Sequence, residues 1–500
     1  MNILRSVRTI ICGLIFFMII PLSAKCSHKF FSFNKTCQIA YYDLMSLHIN
    51  EAEQLLQQEE KGNPDNLIPY FLDNYADFFT LAINQDESDL KRLEKNMDVR
   101  LNLMEEGDKT SPYYLYCQAE IDLQWALAKG MFEEYFSALK EVRQGYNLLE
   151  ENEKKFPDFI ANKKSLSMIH ACIGTVPGSY KFAVKLLGFD GTIEQGMHEA
   201  EQVIMYSKTN SFIFHDETMM IYIFLLEYLK NEPDKSWQLC ESAEFPIKDN
   251  LLAYFLKADI AMKSFHNDSA IALLSHRPET GFNFYYLDYL QGIAKLNRLD
   301  ADANVPLNKF VTEFKGKNYL KDAYQKLAWY YLINGDKVNY QKTIANCITK
   351  GQTLIDNDEA AEREAQKGEV PNVLLLKVRL LQDGGYFERV LSLLSQKQID
   401  DFTTYKDKIE FVYRTGRVYH ESGKTDEAIT YYKKTIEIGG DKTYYFAASA
   451  ALELGYIYEA KKDVKNAQYY YQKCIDLPNE DYKTSIDQKA KSGLERLATK

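Results

Sequence analysis

Apolar residues recur at helical spacing along most of the chain. Between Lys317 and Ile333, Leu320, Ala323, Tyr324, Leu327 and Tyr331 fall 3, 1, 3 and 4 positions apart, a stripe down one helix face. Ile193, Met197, Ala200 and Ile204 do the same at spacings of 4, 3 and 4. Tyr285–Leu296 reads as an apolar helix with Gly292 set in it, followed by a second helix up to Phe314. Alternation of period two never lasts beyond a few residues, so no strand is predicted. The breaks between helices share a layout: a glycine, several polar residues, then the residue that opens the next helix. Gly423–Ala428 shows it best, and Gly385–Val390, Gly335–Tyr340 and Gly130–Tyr135 repeat it with a bulkier last residue. Asp356–Val370 differs, because its charges lie all round, and it reads as a solvated helix or an insertion.

The last hundred residues contain one hairpin written twice. Gly416, Tyr419, Ala428 and Tyr432 return as Gly455, Tyr458, Ala467 and Tyr471, each shifted by 39. A glycine lets two helices approach closely, and a small residue is needed where the second crosses the first. This spacing resembles the tetratricopeptide repeat, a pair of helices of about 34 residues. The extra length lies around Gly439–Thr443, where the glycines can end one helix and Thr443 can start the next. The repeat's usual tryptophan is Val412 in one copy and Ala451 in the other, and its usual proline is Gly440 in one and displaced to Pro478 in the other. The resemblance covers roughly residues 405–478. With the weaker hairpins upstream it implies an all-α, tetratricopeptide-like solenoid. Few prolines (12) and glycines (24) and many tyrosines (36) suit such stacking. The chain divides into residues 1–24 as a signal peptide, 25–38 as a linker, 39–404 as divergent helical repeats, and 405–500 as the C-terminal hairpins with a capping helix over Tyr482–Ala498.

Ile169–Ile204 is less generic. Gly174, Pro177 and Gly178 interrupt a helix. Phe182, Val184, Leu186, Leu187 and Phe189 form an apolar patch, Asp190-Gly191 makes a turn, and Thr192 with Gln195 forms a capping box. Pro177, Gly188-Phe189, Gly191 and Gly196 resemble a motif of the tetratricopeptide repeat protein 39 family and its fungal inclusion-body-clearance relatives. That resemblance implies a helical, non-enzymatic protein in which the motif docks one hairpin onto the next.

Arg5 and Arg8, the apolar run Ile10–Ile20 and the exit Pro21-Leu22-Ser23-Ala24 have the layout of a secretory signal cleaved after Ala24. Eleven apolar residues are too few for a permanent membrane helix, which needs about 20. Lys25 stands where a lipidation signal takes a small residue, so Cys26 is expected to stay free of lipid. The expected location is the periplasm or cell envelope of a bacterium. Seven cysteines remain after Cys12 is lost with the signal. Cys117, Cys172, Cys240, Cys347 and Cys474 lie in apolar helical stretches and read as buried thiols, and only Cys26 and Cys37 are near enough for a local bridge. A net charge of −11 without a basic stripe argues against nucleic acid and anionic membranes as partners.

No catalytic pattern is present: neither GxSxG, HExxH nor GxGxxG occurs, and Ser422–Thr425 only mimics the end of a phosphate loop because Val418 stands where its first glycine belongs. His215-Asp216-Glu217 and His198, Glu199 and Glu201 read as a solvated helix start and face, and Glu133, Glu134, Glu151 and Glu153 as exposed carboxylates. No cofactor or metal is expected. In the repeat family the first helix of each hairpin lines a concave face, which implies partner contacts from Tyr413, Arg417 and His420 beside Gly416, and from Tyr456 and Glu459 beside Gly455. The expected function is a non-enzymatic scaffold for a protein or peptide. A SusD-like glycan- or nutrient-binding protein and an enzyme without a recognisable motif are the alternatives.

Overall fold

The computed structural model describes residues 29–176 and 184–498. Twenty-five α-helices lie among them in chain order. The N-terminal helices are α1 (Lys35–Met45), α2 (Ile49–Gly62), α3 (Ile68–Asn84), α4 (Glu87–Glu105), α5 (Tyr113–Met131), α6 (Tyr135–Lys155) and α7 (Ala161–Gly174). The middle holds α8 (Ile193–Ser207), α9 (His215–Leu225), α10 (Pro233–Glu241), α11 (Leu251–Lys263), α12 (Asn267–Ser275), α13 (Tyr285–Arg298), α14 (Asn304–Glu313), α15 (Leu320–Ile333), α16 (Lys337–Ile344) and α17 (Asn346–Thr349). The C-terminal part holds α18 (Asp356–Lys367), α19 (Val373–Asp383), α20 (Phe387–Leu394), α21 (Tyr405–Glu421), α22 (Thr425–Gly439), α23 (Tyr445–Ala460), α24 (Val464–Asp476) and α25 (Lys483–Ala498). Extended pairing among the described residues is confined to two isolated bridges, Lys29 with Gly107 and Phe30 with Asn66. The fold is an all-α solenoid.

All four glycine turns named from the sequence join consecutive helices: α5 to α6, α15 to α16, α19 to α20 and α21 to α22. Gly335, Gly385 and Gly423 have φ of 82°, 78° and 75°, the left-handed region that favours glycine. Packing inside the hairpins follows the small-residue logic. The Tyr471 ring lies between Gly455 of α23 and Gly493 of α25, so that a Cβ at either would overlap it. Ala428, Tyr432, Ala467 and Tyr471 are fully buried.

The solenoid winds back on itself. Asn318, in the turn before α15, donates to the Gln85 side chain at 2.9 Å, and Lys317 pairs with Glu87 at 2.5 Å. Further along, the Tyr386 hydroxyl reaches Asp268 at 2.9 Å and Arg389 reaches the Arg298 carbonyl at 3.0 Å. These contacts tie hairpins far apart in sequence to one another.

Several local expectations change. Thr192 Oγ1 caps α8 by accepting from the Gln195 N–H at 3.0 Å, but the Gln195 side chain turns away to Glu199 and His170, so the reciprocal half of the capping box is missing. Thr443 does not cap α23, whose N-cap is Tyr444. The charged stretch Asp356–Val370 is a helix, yet not a fully solvated one. Asp358 is completely buried and accepts from the Tyr319 and Asp322 backbone N–H groups at 2.6 and 2.8 Å, capping α15 from a different helix. Those caps explain why α15 starts at Leu320 and not at Lys317.

Glu217 and Glu199 are not solvated either. Lys164 is buried, with its ammonium 2.7 Å from Glu120 and 2.9 Å from Glu217. Glu217 also accepts from the Tyr41 and Tyr75 hydroxyls at 2.8 and 3.3 Å. Glu199 faces the buried His170 ring nitrogen Nδ1 at 2.7 Å. In the central motif, Gly196 lies on the Ser167 carbonyl and Gly191 on the His170 backbone, so these glycines seat α8 against α7. Pro177, Gly178 and Phe182 lie outside the described residues, as do the signal segment and Cys26. Cys37, Cys117, Cys240, Cys347 and Cys474 are buried free thiols, whereas Cys172, expected inside, is exposed.

A pair of glycine substitutions tests the packing. Gly455→Ala gains helix propensity of about 1 kcal/mol but drives a methyl into the fixed Tyr471 ring, and overpacking costs about 1–3 kcal/mol. Gly130 has nothing within 4 Å of its would-be Cβ, so Gly130→Ala keeps the gain. Urea titrations should show a lower midpoint for Gly455→Ala and an unchanged or higher one for Gly130→Ala.

Candidate functional site

Helices α15, α19, α21 and α23 are the first helices of successive hairpins. Together with α18 and the loop Leu477–Tyr482 they enclose a cavity of about 430 Å³. Trp329 and Gln325 come from α15, Glu364 and Lys367 from α18, and Arg379 from α19. Lys406 and Glu410 lie on α21, Tyr444, Tyr445 and Phe446 at the start of α23, and Asp481 and Tyr482 on the loop. The walls are therefore aromatic and the fittings charged.

Trp329 anchors the floor. Its indole N–H donates to Glu364 Oε1 at 2.8 Å, while the Gln325 amide donates to Oε2 at 2.8 Å. The Trp329 ring has cations on it at two points, Lys326 Nζ 4.2 Å and the Arg379 guanidinium 4.7 Å from its centroid. Burial raises the pKa of Glu364, and the Trp329 hydrogen bond works the other way. Arg414, almost wholly buried, donates to Glu410 at 3.2 Å and to the Tyr445 hydroxyl at 3.0 Å. Arg379 donates to the Tyr482 hydroxyl at 3.3 Å, and the Tyr445 and Tyr482 rings meet edge to face at 5.3 Å. Behind this row, Asp383 accepts from Arg417 at 2.8 Å. Burial alone would lift the Asp383 pKa, but Arg417, Arg379 and Arg414 outweigh it and hold the carboxyl below its ordinary value.

None of the five residues expected from the sequence lines this cavity. Tyr413 was expected to face the groove, but only 6% of it is exposed, and it packs against Tyr432, Tyr445 and Phe446. Arg417 is committed to Asp383, and His420 lies 3.4 Å from Glu453. Tyr456 packs on Tyr471 at 5.7 Å, and Glu459 accepts from Arg496 of α25 at 2.8 Å and from Tyr471 at 2.6 Å. The register is the reason. The cavity uses the first turns of α21 and α23, whereas the five residues lie near the packing glycines, where Tyr413 is buried and the other four are half-buried and paired with neighbours. Aromatic and charged residues at those helix starts, Tyr405-Lys406 and Tyr444-Tyr445, are the sequence signal that was available. Glu133, Glu134 and Glu151 are exposed, as expected, while Glu153 is partly covered and pairs with Lys163 at 2.9 Å.

Among the described residues, no helix is long and apolar enough to cross a membrane, and no three histidine, cysteine or carboxylate side chains gather as a metal site. What the cavity's geometry offers is shape, apolar area and paired charges.

The tetratricopeptide repeat family matches residues 409–438 and 448–481. No curated protein matches the chain. Among solved structures, the TPR domain of P58(IPK) is similar at 14% identity over 82% of this chain and 95% of that one, with a TM-score of 0.23. The IFIT1 monomeric mutant with Gppp-AAAA is similar at 12% identity over 84% and 98%, with a TM-score of 0.30. Yeast Tom70 is similar at 13% identity over 93% and 89%, with a TM-score of 0.23. Two tetratricopeptide repeats thus lie within residues 409–481, where the sequence repeats itself.

The His420–Glu453 contact makes a pH prediction. Burial disfavours the charged imidazole, but the hydrogen bond and charge of Glu453 outweigh it, and the His420 pKa rises above its ordinary value. A raised folded-state pKa gives stability that is full below the unfolded value and is lost as pH rises through the folded one. The stability gap between the native chain and His420→Gln should therefore be wider at about pH 5.5 than at about pH 8.5. Urea midpoints at the two pH values measure it.

Proposed function

We propose that the protein is a non-catalytic scaffold that holds a protein or peptide segment in the groove bounded by α15, α18, α19, α21 and α23. The supporting observation is the cavity itself, which presents aromatic faces and polar hydrogen-bonding groups from five helices and the loop before α25. Aromatic residues and arginine concentrate binding energy where they are partly buried, because they bring large area at little entropic cost. The tetratricopeptide repeats of the C-terminal hairpins support the same reading. So does the likeness of Ile169–Ile204 to the tetratricopeptide repeat protein 39 family, since its glycines serve to seat one helix on another. The signal-like N-terminus supports work outside the cytoplasm, in the periplasm or cell envelope, after loss of residues 1–24.

Two measurements test this. A peptide library offered to the chain beginning at Lys25 should yield ligands whose affinity falls by about tenfold or more in Tyr444→Ala and in Lys406→Glu, with circular dichroism unchanged. Ligands bound equally by both variants would move the partner surface away from the groove. N-terminal sequencing of the native protein should start near Lys25, and a start at Met1 would overturn the export reading.

A further inference from the structure

One side of the groove is closed by the chain's own loop, from which Asp481 and Tyr482 line the cavity while Glu480 lies outside its lining. The loop Leu477–Tyr482 joins α24 to α25, and three consecutive side chains reach from it across to helices more than a hundred residues upstream. Glu480 pairs with Lys367 at 3.0 Å, Asp481 with Arg363 at 3.0 Å, and the Tyr482 hydroxyl accepts from Arg379 at 3.3 Å. An acid, an acid and a tyrosine thus meet a lysine and two arginines. Tyr482 makes this contact with a φ of 58°, a left-handed conformation that a bulky residue adopts only when its surroundings hold it.

The loop's backbone is fixed separately. The Glu480 N–H donates to the Thr443 carbonyl at 3.0 Å, and Leu477 is buried against the C-terminal hairpin. The three side chains can therefore leave the groove while the backbone stays. Both ion pairs stay open to solvent, Lys367 and Glu480 keeping 34% and 47% of their side-chain exposure and Arg363 and Asp481 25% each, and the more exposed a pair is the weaker and more salt-screened it is. An outside segment with the same groups would replace each contact in kind, and its carboxylates would meet the same cations.

We infer that Glu480–Tyr482 is a built-in competitor for the groove. The external occupant is then a protein segment of the same chemistry, consecutive acidic residues followed by an aromatic one. This rests on the groove reading given above. The competitor lowers the apparent affinity by the fraction of molecules in which it has withdrawn.

The experiment uses a labelled peptide of residues 476–483, acetylated and amidated so that chain termini contribute no charge. Fluorescence anisotropy compares the full chain with a variant carrying Glu480→Gln, Asp481→Asn and Tyr482→Gly, glycine being at ease at that φ. If the loop occupies the groove about nine times in ten, the variant binds the peptide about tenfold more tightly than the native chain does. A peptide with glutamine and asparagine in place of its acids should bind neither protein, and Arg363→Gln with Lys367→Gln in the same variant should abolish binding of the acidic one. Should the triple variant lose helicity, Tyr482→Gly alone carries the comparison. Equal affinity of the native chain and the variant, or equal binding of the neutral peptide, overturns the inference. If library peptides bind in a Tyr444-dependent way with no preference for acids, this inference fails while the groove reading stands. If no peptide binds even the folded variant, both fail.

Discussion

Where two helices of a hairpin cross, one gives up its side chain so that a ring or a branched residue of its partner can lie on its backbone. Gly455 and Gly493 do this for Tyr471, Gly416 for Tyr432, Gly292 for Leu307 and Gly145 for Leu123. Each such glycine weakens its own helix by about 1 kcal/mol relative to alanine. The return is a close approach that brings whole helix faces into dispersion contact and excludes water from both. Everything wider follows from that spacing. Hairpins that close on a glycine can stack closely, and the stacked chain brings Asn318 to Gln85 and the loop at Tyr482 to Arg379.

The second layer of the structure is polar and acts between hairpins. Asp358 caps a helix to which it does not belong. Lys164 joins three helices through two carboxylates. Asp383 pairs with Arg417 behind the groove and with Arg379 of its lining. Apolar packing is non-directional, so it fixes how close two hairpins lie better than how they are turned. Buried charges with few permitted partners supply the missing angular constraint. The groove benefits, since its aromatic walls come from helices whose mutual rotation these pairs hold.

The helices and their turns were legible because both depend on residues close in sequence. The stripe Leu320 to Tyr331 and the turn at Gly335 carry their meaning within a few positions. The charged stretch Asp356–Val370 misled for the opposite reason: Asp358 finds its partners at Tyr319 and Asp322, more than thirty residues away. Glu217 looked like a helix start in water because Lys164 lies 53 positions before it. The groove was missed by register. Residues next to a packing glycine are the easiest to place, yet in α21 and α23 they pair with neighbouring residues, and the positions that line the cavity lie at the helix starts. No local pattern joins Trp329 to Tyr482, because only the winding of the solenoid brings them to one cavity.

The Lys164 cluster also orders events during synthesis. Glu120 leaves the ribosome before Lys164, but Glu217 follows it by 53 residues. An ammonium drawn into the interior with one of its two carboxylates still unmade pays the desolvation cost with half the compensation. The Tyr41 and Tyr75 hydroxyls, which also end on Glu217, wait for the same residue. Helices α1 to α7 can form as they emerge, but closing them over Lys164 costs less once α9 has supplied Glu217. The buried charge cluster thus joins helices from the N-terminus to near the centre of the chain, and its last component is made last.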